Sequence, residues 1–174
     1  MEIKEALAMI NRLEADGVIG RYAIGGAVGA TFYLEPVATL DLDVFVAFET
    51  RPGALIDPKP IYDFLTARGA VVEKEHVVIA GWPVQFLPPG NPLVEEALAQ
   101  AVERDVDGIP VRVFTAEHLA AVALQTGRAK DKARLLQFIE TGALDSAHFQ
   151  AILTRHGLTD RWRKFERQFL HDRP

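Results

Sequence analysis

The sequence predicts an α+β fold, in which strands and helices are interleaved as far as Phe114 and helices alone follow. Three observations predict it. Short runs with period-two alternation or branched apolar residues recur through the first part of the chain, the signature of strands. Apolar stripes at helical spacing lie between them. From Thr115 onward period two disappears and helical spacing continues to the C-terminal end. The chain therefore divides into a core over residues 1–114 and a helical region over residues 115–174 packed on it.

A chain of 174 residues with 49% hydrophobic content can bury a core of one domain. The net charge of −5 exerts no global pull toward nucleic acid or anionic membrane, so a nucleic-acid substrate requires a local basic patch. The absence of cysteine excludes disulfides and thiolate metal sites. Residues 1–20 lack a basic start followed by an apolar core, and no apolar run reaches membrane-spanning length. A soluble, cytoplasmic protein without a membrane partner is the expectation.

In chain order, residues 3–15 place Ile3, Leu7, Ile10 and Leu13 on one helical stripe, with Gly17 or Gly20 as the stop. A short apolar strand, Tyr22-Ala23-Ile24, breaks at Gly25-Gly26, and residues 28–34 suit a short helix. Residues 40–46 read as a strand. After a loop punctuated by Pro52-Gly53 and Pro58, residues 61–68 form an amphipathic helix stopped by Gly69. Residues 70–87 read as a hairpin built on Val71-Val72, Val77-Val78-Ile79 and Val84-Gln85-Phe86-Leu87. Asn91-Pro92 starts a helix that continues to Val102, and Asp107-Gly108 turns into a last strand over residues 109–114. Thr115 caps the next helix. Others begin after Gly127, at Asp145-Ser146 and at Thr159-Asp160, the last with Trp162, Phe165 and Phe169 inward.

The chemistry concentrates in residues 22–48. In Leu40-Asp41-Leu42-Asp43-Val44-Phe45-Val46 the acids alternate with apolar residues, so both carboxylates leave one face of a strand, roughly 6–7 Å apart at Cα. Like charges that close oppose each other's ionisation. A hard divalent cation such as Mg²⁺ or Mn²⁺, held by one or two carboxylates plus substrate phosphates, relieves the conflict. Gly25 and Gly26 at a strand-to-helix turn let backbone approach a ligand and aim helix N–H groups at phosphate oxygens. Pro36 and Thr39 bracket the return to the acidic strand. An isolated acidic pair on an edge strand is ordinarily its wet face, and it is the glycine turn upstream that points to function.

These residues together resemble the polymerase beta-like nucleotidyltransferase superfamily, with its Gly-Gly or Gly-Ser turn followed by a D-x-D strand. Ile24-Gly25-Gly26, Pro36, Thr39 and Asp41-Leu42-Asp43 are most similar to AbiEii-type nucleotidyltransferases, often the toxin halves of toxin–antitoxin pairs. The resemblance implies the nucleotidyltransferase fold, a small mixed β-sheet flanked by helices with a C-terminal helical region. It also implies metal-dependent transfer of NMP from an NTP to a hydroxyl on RNA or tRNA, protein or a small molecule, with an antitoxin protein as partner. Asp41 and Asp43 become the catalytic metal ligands, and Gly25, Gly26 and Thr39 the nucleotide contacts. Gly127-Arg128-Ala129-Lys130-Asp131 resembles the family's R-x-K-D element, so Arg128 and Lys130 approach the triphosphate while Asp131 orients a neighbouring base or caps the helix.

The sequence departs from the family in two places. Gln85 stands where a third carboxylate is usual, with Glu73 and Glu75 as remote substitutes, and Val37 stands where an arginine is often found. The alternative is a catalytically degraded nucleotide-binding or protein-interaction module on the same fold. Lys132 and Arg134 read as a solvated helix face, and so does the basic side of the last helix. The five histidines show no metal-ligand spacing and no evident catalytic companion.

Overall fold

The computed structural model describes residues 3–36, 41–47 and 57–171. Thr39 and Val37 lie outside them.

Helix α1 (Ile3–Ala15) buries Ala6, Leu7, Ile10 and Leu13, and Gly17, at φ +71°, reverses the chain after it. Strand β1 (Tyr22–Ile24) is wholly buried and runs into the short helix α2 (Gly26–Ala30). Strand β2 (Leu42–Val46) alternates buried and half-buried residues. Helix α3 (Lys59–Thr66) follows, then strands β3 (Val71–Glu73), β4 (His76–Ile79) and β5 (Trp82–Leu87). The hairpin expected over residues 70–87 is thus a three-stranded antiparallel meander.

Helix α4 (Pro92–Ala99) starts as its sequence indicates, with the Asn91 side chain accepting from the Val94 amide at 3.1 Å. It stops sooner than expected. Val102 belongs to a strand, β6 (Val102–Val106), which pairs with β7 (Ile109–Val113) across the Asp107-Gly108 turn. Both turn residues have positive φ, 51° and 85°, the geometry of a tight hairpin turn. β6 carries Glu103-Arg104-Asp105 at an exposed sheet edge, so it has no buried face to announce itself by alternation.

The sheet order is β3-β4-β5-β2-β1-β7-β6. β1 runs parallel to β7 and β2 parallel to β5, while the other neighbours are antiparallel. It is a mixed sheet flanked by helices, as the resemblance implies, and it has seven strands.

Helices α5 (Ala116–Thr126), α6 (Ala129–Glu140), α7 (Ser146–Arg155) and α8 (Thr159–Phe169) complete the chain. Thr115 caps α5 by accepting from the His118 amide at 3.2 Å, Gly127 ends it at φ +68°, and Asp145 caps α7. Two apolar cores cover the two sheet faces. Leu42, Val44 and Val46 pack with α1 and α3, whereas Ala23 and Phe45 face the cluster built from α2, α4 and α5 to α8. Period two in β2 therefore turns Asp43, like Phe45, toward the helical side. No helix among the described residues is long and apolar enough to cross a membrane.

Candidate functional site

Asp43 sits where β2 meets the glycine turn. The Gly25 amide donates to the Asp43 carbonyl at 3.1 Å, which ties the turn to the strand. A Cβ on Gly26 would lie 2.0 Å from Asp43 Oδ2, and Gly26 holds φ +58°, so only glycine fits beside this carboxylate. At Gly25 a Cβ would come within 2.6 Å of the Phe45 ring, which packs on Phe114 at 5.0 Å between centroids. Both glycines are required by close approach of backbone to the acidic strand. The first-turn amides of α2, which have no partner within the helix, begin at this carboxylate.

The Asp43 carboxyl is pushed above its ordinary range, first by burial and then by Asp41. Lys130, Arg134 and Arg128 act in the opposite direction. Asp41 is more open, its side chain 48% exposed, and its Oδ2 lies 3.6 Å from His76 Nε2. The two acids of one motif thus occupy different surroundings, one half enclosed and one at the mouth of the site.

Gln85 pairs directly with Asp43 in the parallel β2–β5 register, on the same face of the sheet. The position expected for a third carboxylate is occupied by an amide. Glu73 lies on the sheet's edge strand and Glu75 in the turn after it, two strands away from β5, and both are exposed. Neither takes the place of the missing acid. Val77 pairs with Val84 in the antiparallel β4–β5 register, so the next step places His76 beside Gln85. His76, Gln85 and Asp43 form a row across three neighbouring strands.

Three cations approach from α6. Arg128, its N-cap residue, donates through Nε to Asp131 Oδ2 at 2.6 Å, and Arg134 Nη1 lies 3.7 Å from Asp131 Oδ1. The Asp131 side chain is 3% exposed, a buried anion gripped by two guanidiniums. It orients these basic side chains, and the Arg128 guanidinium is pushed up by this bond. Lys130 and Arg128 are exposed. Arg134 corrects the reading of a solvated face, because its side chain is only 16% exposed and its charge is felt at Asp43.

Sequence reasoning missed Arg134 and His76. The first could have been found from its spacing, three residues after Asp131 and four after Lys130. The second follows from the hairpin register once Ala80-Gly81 is fixed as the turn. Of the other histidines, His118 and His156 contact Glu96 and His148 contacts Glu117, so acidic companions exist that the sequence did not disclose.

Two carboxylate side chains and an amide oxygen make a hard-oxygen donor set, which suits Mg²⁺ or Mn²⁺. Among the described residues no group of three or more His, Asp or Glu converges as a self-sufficient metal cluster. The set fits a cation completed by substrate phosphates.

No protein-family model matches the chain, and no curated protein sequence matches it. Solved structures do. A nucleotidyltransferase-like antigenic protein from Paracoccidioides brasiliensis superimposes with a TM-score of 0.54 at 16% identity, over 93% of this chain and 92% of its own. The solution structure of the antibiotic-resistance factor ANT(2'')-Ia covers 98% of this chain and 100% of its own, with a TM-score of 0.52 at 15% identity. The crystal structure of ANT(2'')-Ia with adenylyl-2''-tobramycin gives a TM-score of 0.54 at 14% identity, over 92% and 96%. At these identities the likeness speaks for architecture, and the architecture is the nucleotidyltransferase fold.

Proposed function

We propose that the chain is a divalent-metal-dependent nucleotidyltransferase that moves NMP from an NTP to an acceptor hydroxyl. The observation that carries the reading is the seating of the Asp43 carboxylate against Gly26, with Asp41 two residues before it and the α6 cations facing it. Asp41 and Asp43 would hold Mg²⁺ or Mn²⁺. Held by these two carboxylates, such an ion would supply positive charge against the phosphate oxygens. Gly25 and Gly26 bring the turn's backbone against the acidic strand, and the amides of that turn would be the phosphate contacts. Arg128 and Lys130 supply positive charge toward the β- and γ-phosphates, and Asp131 keeps Arg128 aimed. The bond formed joins the acceptor oxygen to the α-phosphorus, and the bond broken releases pyrophosphate.

One structural neighbour was solved with adenylyl-2''-tobramycin, which supports the small-molecule hydroxyl among the expected acceptors, beside RNA, tRNA and protein. The Gly25-Gly26, Asp41-Leu42-Asp43 and Arg128-Ala129-Lys130-Asp131 wording supports an AbiEii-type toxin with an antitoxin partner. Incubation with labelled NTPs, Mg²⁺ or Mn²⁺ and pools of these acceptors tests the reading. Label transfer by the wild type and its loss in Asp41→Asn and Asp43→Asn are expected; no transfer to any acceptor would overturn it.

Gln85 favours a second reading, a nucleotide-binding module without turnover. It predicts that NTP with Mg²⁺ raises the melting temperature while no label moves. At a hundredfold excess over Kd, ligand stabilisation amounts to ~2.7 kcal/mol.

A further inference from the structure

A cavity of about 350 Å³ opens between the end of α5, one side of α6 and α8, apart from Asp41 and Asp43. Its apolar side is formed by Leu135, Phe165 and Phe169, and its cations are Lys132, Arg161 and Lys164. No acidic residue among the described residues lines it, although the chain as a whole carries −5. Arg161 donates to the Gln125 carbonyl at 2.5 Å, which holds its guanidinium at the end of α5. None of the three cations has a carboxylate partner among the described residues, whereas Arg163 on the other side of α8 lies 3.6 Å from Asp160. Unneutralised cations gathered around one cavity favour an anionic ligand.

The apolar side adds a shape requirement. Phe149, Trp162, Phe165 and Phe169 form a run of rings with centroids 5.1, 5.8 and 4.8 Å apart, and Trp162 lies nearly parallel to Phe165 at 15°. The run begins in the core at Phe149 and ends at the half-buried Phe169 in the cavity. Lys132 Nζ stands 6.0 Å from the Phe169 centroid. A planar ring laid on Phe169 with an attached phosphate reaching Lys132 and Lys164 satisfies both features at once. Stacking on aromatic rings beside cations is how proteins hold nucleotide units without reading sequence. The volume lies at the small end of ligand pockets and suits one such unit.

We propose that this groove binds a single phosphorylated aromatic base, either a free nucleotide or one unit of a single-stranded nucleic acid. Lys132 and Lys164 hold the phosphate, and the base extends the ring series at Phe169. The site needs no divalent metal, so its behaviour is separable from the acidic pair.

Isothermal titration of the full chain in EDTA with AMP, adenosine, inorganic phosphate and a short oligoadenylate tests this. AMP is expected to saturate one site, with adenosine and phosphate each at least tenfold weaker. Lys132→Ala/Lys164→Ala is expected to weaken AMP at least tenfold while melting as the wild type does, and Asp43→Asn to bind AMP unchanged. Oligoadenylate tighter than AMP, with the same lysine dependence, assigns the strand; equal affinity assigns the free nucleotide. The proposal is overturned by absence of saturable binding of both AMP and oligoadenylate, by phosphate alone binding as well as AMP, by binding that survives the double lysine substitution, or by binding lost in Asp43→Asn.

Discussion

Gly26 shows how one residue ties the turn to the strand. Its φ of +58° is one that residues with a Cβ adopt at a cost of roughly 1–2 kcal/mol, and the added atom would meet Asp43 Oδ2. Gly26→Ala is therefore expected to lower stability by at least that amount and to displace the carboxylate, abolishing stabilisation by Mg-NTP. Gly90, with open space where a Cβ would go, is the control, and Gly90→Ala should leave both properties unchanged. Thermal melts with and without Mg-NTP measure the two effects together. Asp41, Asp43, Gly25, Gly26 and Gln85 were legible from sequence because strand period two and a glycine turn fix where they point. His76 and Arg134 were less so: beyond the hairpin register and the spacing to Asp131, each reaches the site through the pairing of separate strands or the docking of α6.

At the scale of elements, α6 is both a packing helix and the carrier of the site's positive charge, and Asp131 joins the two roles. Removing its carboxylate leaves Arg128 and Arg134 without their common anchor. Asp131→Ala is expected to raise the nucleotide Kd about tenfold, equivalent to ~1.4 kcal/mol, in a titration with non-hydrolysable NTP.

A second junction joins α4, α5 and α7. Glu96 accepts from Arg155 at 2.6 and 3.1 Å, and its oxygens lie 2.8 Å from His156 Nε2 and 3.1 Å from His118 Nε2. His118, fully buried, also has Thr115 Oγ1 2.7 Å from its Nδ1, and its ring meets His148, which lies near Glu117. Burial holds the His118 ring below its ordinary 6.5. Arg155 above all, then His156 and His118, hold the Glu96 carboxyl below its ordinary 4.5. Both folded-state values are depressed. Their contribution to stability is thus present at neutral pH and lost on acidification, first below about 6.5 through His118 and again below about 4.5 through Glu96. Glu96→Gln is expected to cost about 2 kcal/mol at pH 7 and to flatten the lower part of that decline, as denaturant melts from pH 8 down to about pH 2 would record.

The whole molecule sets a sheet between two apolar cores, and its register makes the final test quantitative. Parallel pairing of β2 with β5 places Gln85 beside Asp43 with no intervening residue, so a carboxylate at 85 would complete a row of acids without moving backbone. In the metal-free protein the new charge would face Asp43, whose carboxyl is already pushed up by burial and by Asp41. Gln85→Asp is therefore expected to lower the melting temperature in EDTA by about 2–4 °C, the shift that ~1 kcal/mol produces in a chain of this size. Saturating Mn²⁺ is expected to reverse the loss, because a bound cation removes the repulsion it relieves. Label transfer distinguishes the two functional readings in the same variant. If the wild type transfers and Gln85→Asp transfers at least tenfold faster, the amide is a tuned-down ligand in a working enzyme. Transfer appearing only in the variant identifies a binding module that lost one oxygen charge. A variant that melts as the wild type does in EDTA and gains nothing from Mn²⁺ would show that position 85 does not face the acids, contrary to the register.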